Sequence, residues 1–254
     1  QQINEGHVPQ PGASVLANHV SPVNIKPGDG GRNADWIFTD VESRGLHTQH
    51  WRDARTTPFI NAFPAAALVS NYPGAYRKLY QPTPDVPYLP AGFLDNAYLE
   101  IRAGGLYCAG NAVEAGSYTL ANGDRIEYGD QAARFFPEAE LVVPFGFRYG
   151  DELTIREFKQ TFTGRRLRGG AVDSFMVVRS IRKGFTLDGQ GSLITPQAAH
   201  TDVMRLRTYI HEVDSIYFWP AGYRELGVVG YEVARLNPVR YSWFAPEGGW
   251  ELFS

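Results

Sequence analysis

Apolar and polar residues alternate with a period of two through most of the chain beyond residue 95. Leu99 and Ile101 alternate with Glu100 and Arg102, the pattern of a strand with one buried face. Tyr118-Thr119-Leu120 and Arg125-Ile126-Glu127-Tyr128 flank Asn122-Gly123, which predicts a hairpin on a type I′ turn. Further strands are expected at Leu141–Phe147, Leu153–Phe158, Phe175–Ile181, Phe185–Leu187 and Ser192–Ile194, with Asp188-Gly189 as a turn. Met204, Leu206 and Ile210 alternate with Arg205, Arg207 and Tyr209, and segments near 216–219, 227–234, 239–244 and 250–253 complete the series. Two short helices are expected. One starts at Asn61 and runs through Ser70, with Pro64 in its first turn; the other follows Thr195-Pro196, near Gln197–Thr201.

Ten to twelve short strands separated by turn signals predict an all-β fold of jelly-roll or β-sandwich type with short helices. No alternation of strands with long helices supports a Rossmann or TIM architecture. Residues 71–92 carry Pro73, Pro82, Pro84, Pro87 and Pro90, which suits a stiff surface crossing better than a central strand.

Residues 1–35 have a different character. Pro9, Pro11, Gly12, Pro22, Pro27, Gly28, Gly30 and Gly31 interrupt every periodic run. The apolar residues between them, Val15, Leu16, Val20, Val23 and Ile25, are too sparse to make a face of their own. This reads as a long irregular N-terminal arm (1–35) ahead of a single β-rich domain (36–254). An arm without a core gains order by lying on its own domain or on a neighbouring chain.

Length and composition narrow the class. At 254 residues the chain buries a full core without disulfides or metals, and its one cysteine, Cys108, leaves no disulfide framework. No apolar run approaches the ~20 residues of a membrane helix. The first 25 residues show no basic region followed by an apolar stretch, so no signal peptide is visible. A net charge of −3 gives no general pull toward nucleic acid or acidic lipid.

The common nucleotide, serine-hydrolase, zincin, CxxC and EF-hand motifs are absent. Four weaker constellations remain. His47 and His50, with Asp53 three residues on, could converge on a divalent metal if they sat on a helical turn; a polar loop explains them as well. Cys108 with His200 or His211 could form a thiolate nucleophile and its base, although a lone cysteine is more often a small buried hydrophobe. His211-Glu212-Val213-Asp214 before Tyr217-Phe218-Trp219 resembles the carboxylates of a hydrolytic cleft, or a solvated strand edge beside core aromatics. Arg165-Arg166-Leu167-Arg168-Gly169-Gly170 is a basic loop able to grip phosphates or acidic partner loops, or a solvated hairpin tip. None of these requires a cofactor.

The reading with most support is a structural or assembly subunit, such as a virion shell, tail or appendage component, whose partners are copies of itself or other subunits. Its interface residues are then Val15, Leu16, Val20, Val23 and Ile25 of the arm and Arg165, Arg166 and Arg168 of the basic loop. On that reading a chain lacking residues 1–35 keeps its β domain and loses assembly. A carbohydrate-active or toxin-like enzyme using Glu212, Asp214 or a histidine is the alternative, and a lectin-like binding module is the third class.

Overall fold

Most of the alternating segments lie in strands in the computed structural model, which describes residues 1–20, 26–39, 43–71, 96–219, 229–236 and 239–246; the segment expected near 250–253 lies outside these, and the strand expected at Leu141–Phe147 ends at Pro144. For residues 15–20, 43–47, 49, 71, 155 and 229–236 the backbone alone is described. The first strands are β1 (Ser14–Val20), β2 (Gly31–Ile37), β3 (Ser43–Asp53), β4 (Leu68–Asn71) and β5 (Ala97–Arg102). Next come β6 (Gly105–Val113), β7 (Gly116–Thr119), β8 (Arg125–Tyr128), β9 (Gln131–Phe136) and β10 (Glu140–Pro144). Three long strands follow, β11 (Glu152–Arg168), β12 (Ala171–Ile194) and β13 (Ala199–Trp219), and then β14 (Val229–Leu236) and β15 (Val239–Phe244).

All fifteen belong to one hydrogen-bonded sheet, whose main path runs β1-β3-β4-β5-β6-β9-β11-β12-β13-β14. Off this path β10 pairs β6, β15 pairs β13, and the β7–β8 hairpin joins β11. Every pairing is antiparallel except that of β2 with β12. The all-β expectation is met, and the sheet curls: side chains from ten of its strands line one interior cavity.

The long strands show why it must curl. The 24 residues of β12 would extend roughly 80 Å if straight, well beyond the width of a globule of this chain length. Bulges between Leu187 and Gly189 and between Gly191 and Leu193 bend it against β13. Asp188-Gly189, expected to be a turn, is therefore continuous strand. Its glycines serve close approach instead: a Cβ on Gly191 would sit 1.8 Å from the carbonyl oxygen of Ala34 in β2, and one on Gly189 would sit 2.6 Å from the Trp36 ring. The true turn lies upstream. Gly169 and Gly170 have φ of 55° and 85° and close the β11–β12 hairpin between Arg168 and Ala171, the two-residue positive-φ connection of a type I′ turn.

The hairpin expected around Asn122-Gly123 forms between β7 and β8, but Thr119 pairs Arg125, leaving a five-residue loop in which Gly123 alone has positive φ. Neither expected α-helix appears. Ile60–Ala62 is a 3-10 turn and the following apolar residues become β4. Leu68 and Val69 are both fully buried, and a strand covered on both faces shows the unbroken apolar run that was read as a helix body. Thr195 spends its capping capacity on a turn: its Oγ1 accepts from Gln197 N and Ala198 N where β12 passes into β13.

The segment read as an arm touches the chain's own sheet. Ile3, fully buried, exchanges backbone hydrogen bonds with Gly146 and Phe147, and Val8 joins the same core. His7, 1% exposed, donates from Nε2 to the carbonyl of Ala245 while Nδ1 accepts from Asn4 N. Removing residues 1–35 would thus take Ile3 and Val8 out of the main core, so such a chain loses stability as well as its arm. Val15, Leu16 and Val20 lie on β1, paired with β3; Val23 and Ile25 lie outside the described residues, as does most of the proline-rich 71–92 segment. Among the described residues no helix is long and apolar enough to cross a membrane.

Candidate functional site

The inward faces of β11, β12 and β13 follow the period of two, with one interruption at the same level in each. On β11 Gln160 lies between Phe158 and Phe162; on β12 Arg179 lies between Val177 and Ile181; on β13 Glu212 and Asp214 lie between Ile210 and Ile216. Register aligns these positions: Gln160 faces Arg179, and Arg179 faces Asp214. Above and below run apolar rows, such as Phe162–Val177–Ile216. A polar belt therefore crosses the interior of the sheet and separates two apolar clusters, one around Phe185 and Leu206, the other around Phe175 and Phe218.

The belt is an ion network taken out of water. Arg179 donates from Nε to Asp214 Oδ1 and from Nη2 to Oδ2, each at 2.9 Å, and its Nε lies 3.1 Å from Glu212 Oε1. All three side chains are at most 5% exposed. Lys183, two positions along the same face of β12, pairs with Glu140 of β10. Gln160 donates from Nε2 to Asn111 Oδ1 at 2.9 Å and to the carbonyl of Ala133 at 2.6 Å. Those two acceptors fix the orientation of the amide, so Oε1 is the atom left to accept.

Beside the belt lies a cavity of about 120 Å³. Its apolar wall includes Trp51, Leu99, Leu106, Phe135 and Ile181; its polar wall includes Ser70, Asn111, Glu140, Gln160, Arg179 and Glu212. Half-buried Ala97, Val142, Lys183, Ile210 and Arg240 complete the lining toward solvent. Ser70 Oγ and Gln160 Oε1 are buried there without a hydrogen-bond partner among the described residues. Polar groups in this condition cost about 1–3 kcal/mol each unless something meets them, and a ligand donor entering the cavity would do so.

Cys108 also lines the cavity, in a setting opposite to the one a nucleophile needs. Burial pushes its thiol far above the ordinary range, and the Glu140 carboxylate pushes the same way. Its Sγ contacts the carbonyl of Gly110 at 3.5 Å, and the charged groups acting on it are Glu140, Lys183 and Glu100. The folded protein is expected to resist iodoacetamide at pH 8 and to take up one equivalent once unfolded in guanidinium. Rapid alkylation of the native chain, followed by mass spectrometry, would contradict this placement.

The other sequence candidates are dispersed. Glu212 and Asp214 do share a face, as strand geometry requires, but they point into the sheet against Arg179. They are neither a solvated edge nor two carboxyls facing an open cleft. His47 and His50 are three residues apart on β3, an extended strand whose successive positions alternate between faces, so the helical convergence of the pair does not arise. His50 Nδ1 lies 2.9 Å from Ser14 Oγ, and Asp53 accepts from the backbone and guanidinium of Arg55. Among the described residues no group of three or more His, Cys, Asp or Glu is placed to hold a metal ion.

The basic run sits at the tip of the β11–β12 hairpin. Arg166 is engaged there: its Nη2 donates to Asp173 Oδ2 at 2.6 Å and its guanidinium lies 4.7 Å from the centre of the Phe218 ring. Arg165 and Arg168 are exposed.

Gln160, Arg179, Lys183, Glu140 and Ser70 were not among the candidates. For Gln160, Arg179 and Lys183 the signal existed, as a polar residue at an apolar position in an alternating run. No protein-family model, curated protein or solved structure matches this chain.

Proposed function

We propose that the chain is a non-catalytic binding module that holds a small molecule in the cavity beside the polar belt. What supports the reading is one observation. Side chains from ten strands converge on this space, and Ser70 Oγ and Gln160 Oε1, of residues that line it, are buried without a hydrogen-bond partner among the described residues. An interior built only for stability would fill the space, pair those atoms or meet them with ordered water, and a cavity walled mainly by apolar side chains holds water poorly. A mainly apolar pocket with a few fixed polar groups is the usual form of a small-molecule site. Protein-observed NMR with a library of benzene-sized fragments should yield binders that shift the Trp51 indole and Gln160 amide resonances. Ala97→Phe, which grows into the cavity from its half-buried side, should abolish them. A library without a single binder at millimolar concentration would count against the reading.

A second reading, a jelly-roll or sandwich-type subunit that assembles with copies of itself, is supported by a different observation. Phe136 is 70% and Ile37 61% exposed, and Val172 is exposed near the arginine-bearing hairpin tip. Val172 in the same hairpin as the exposed Arg165 and Arg168 suits an interface between copies, and Phe136 and Ile37 offer further exposed apolar side chains elsewhere on the sheet. Light scattering should then give a mass above the 28.3 kDa of one chain, with Phe136→Ser and Arg168→Glu lowering it. A monomer across the micromolar range sinks this reading and leaves the first untouched.

A further inference from the structure

We infer that the cavity selects an uncharged molecule of about the size of a substituted benzene that carries a hydrogen-bond donor. This rests on the cavity being the ligand site. Three features set the class.

Size comes first. At about 120 Å³ the space is close to the ~150 Å³ of an apolar cavity known to admit benzene. That limits the enclosed part of a ligand to one small ring, with any substituent no larger than a single heavy atom, and excludes a sugar chain or a lipid.

Charge is the second feature. Glu140, Glu212, Arg179, Lys183 and Arg240 line the cavity, and Asp214, outside the lining, pairs with Arg179. The Arg179 pairings with Asp214 and Glu212, and the Lys183 pairing with Glu140, are already made. An ionic ligand would lose its own hydration on entry and would compete with these pairs for their partners.

The third feature is the polarity of the atoms left over. Gln160 Oε1 is a carbonyl oxygen and can only accept, while the amide nitrogen already donates to Asn111 and Ala133. Ser70 Oγ can both donate and accept. A ligand hydroxyl would donate to Gln160 Oε1 or exchange a hydrogen bond with Ser70 Oγ, while its ring lay against the apolar wall that includes Trp51, Leu106 and Phe135. A plain hydrocarbon would fit the space and leave both atoms unmet.

The test compares four probes of nearly equal size on the intact chain by titration calorimetry or NMR at pH 7: phenol, toluene, benzoate and benzylammonium. Phenol is expected to bind about tenfold more tightly than toluene, the factor that one well-made hydrogen bond supplies. The two ions should bind more weakly than either. Gln160→Met should reduce the advantage of phenol over toluene to near unity. Ser70→Ala, a smaller change, reads the second atom if the first variant folds poorly, and should also narrow the advantage. Toluene binding as well as phenol, or either ion binding as tightly as phenol, would overturn the ligand class and leave the cavity as a binding site. Failure of all four probes would overturn the binding-module reading itself.

Discussion

Replacing Arg179 with methionine is expected to destabilise the fold by about 3–5 kcal/mol. For a chain of this size that corresponds to a fall of roughly 6–20 °C in the thermal midpoint. The cost comes from the carboxylates left behind. Asp214 and Glu212 are 4% and 5% exposed and both lie within hydrogen-bonding distance of the Arg179 Nε. With the guanidinium gone, two negative charges remain in an interior that screens them poorly. Methionine fills much of the volume, so the loss measures charge more than packing. The control is the combined variant Arg179→Met, Glu212→Gln, Asp214→Asn. Removing the charges together should recover a large part of the loss, because a buried network contributes little beyond a neutral replacement of similar shape. If Arg179→Met alone shifts the denaturant midpoint by less than the error of the measurement, the network is not closed as described.

That network also shows how far the sequence could be read. Fold class was legible because alternation survives wherever one face of a strand is buried, and β15 falls where the pattern put it, at Val239–Phe244. Strand length was not legible. β12 was cut at Asp188-Gly189 because a glycine can mark a turn or a close contact, and only the backbone of β2 lying against it decides which. The run through Leu68 and Val69 looked helical because both faces of β4 are covered, Leu68 in one apolar cluster and Val69 in another, which removes the polar alternation.

The site was half visible. Glu212 and Asp214 attracted notice as paired carboxylates, but the residue that gives them meaning lies 35 positions upstream of Asp214. Arg179 would have stood out had the alternation been followed through every polar exception. In Phe175, Val177, Arg179, Ile181 a cation holds an apolar position, and a charge placed there must find a partner on an adjacent strand. Lys183 carries the same signal, in phase between Ile181 and Phe185, but Glu140 and Ser70 do not. They meet because the sheet curls, bringing β4 and β10 over the face of β12, and no pattern within one strand encodes that.

Arg205 is expected to be the second position at which a single change is severe, with Arg205→Met costing about 3 kcal/mol. Its role is on the opposite face of β13. Nε and Nη2 form a fork on the two oxygens of Asp188 at 2.8 and 3.0 Å, and Nη1 donates to the carbonyls of Pro27 and Gly28 at 2.6 and 3.0 Å. The guanidinium also stacks near the rings of Trp36 and Tyr241, at 5.1 and 4.8 Å from their centres. Trp36 in turn meets Trp243 edge to face at 5.9 Å, in a small apolar cluster with Phe38, Leu193 and Val203. One side chain thus fastens the segment that leads into β2 onto the outer face of β12, β13 and β15. Lysine keeps the charge but has neither the fork nor the flat face, so Arg205→Lys should restore only a minor part of the loss. The distinguishing readout is local. In hydrogen exchange, the amides of Gly31–Ile37 should lose protection well before those of β11 and β12, because their pairing with β12 is a parallel edge held from outside by this clamp. Uniform loss across the sheet would mean instead that Arg205 supports the whole core and that β2 is not held separately.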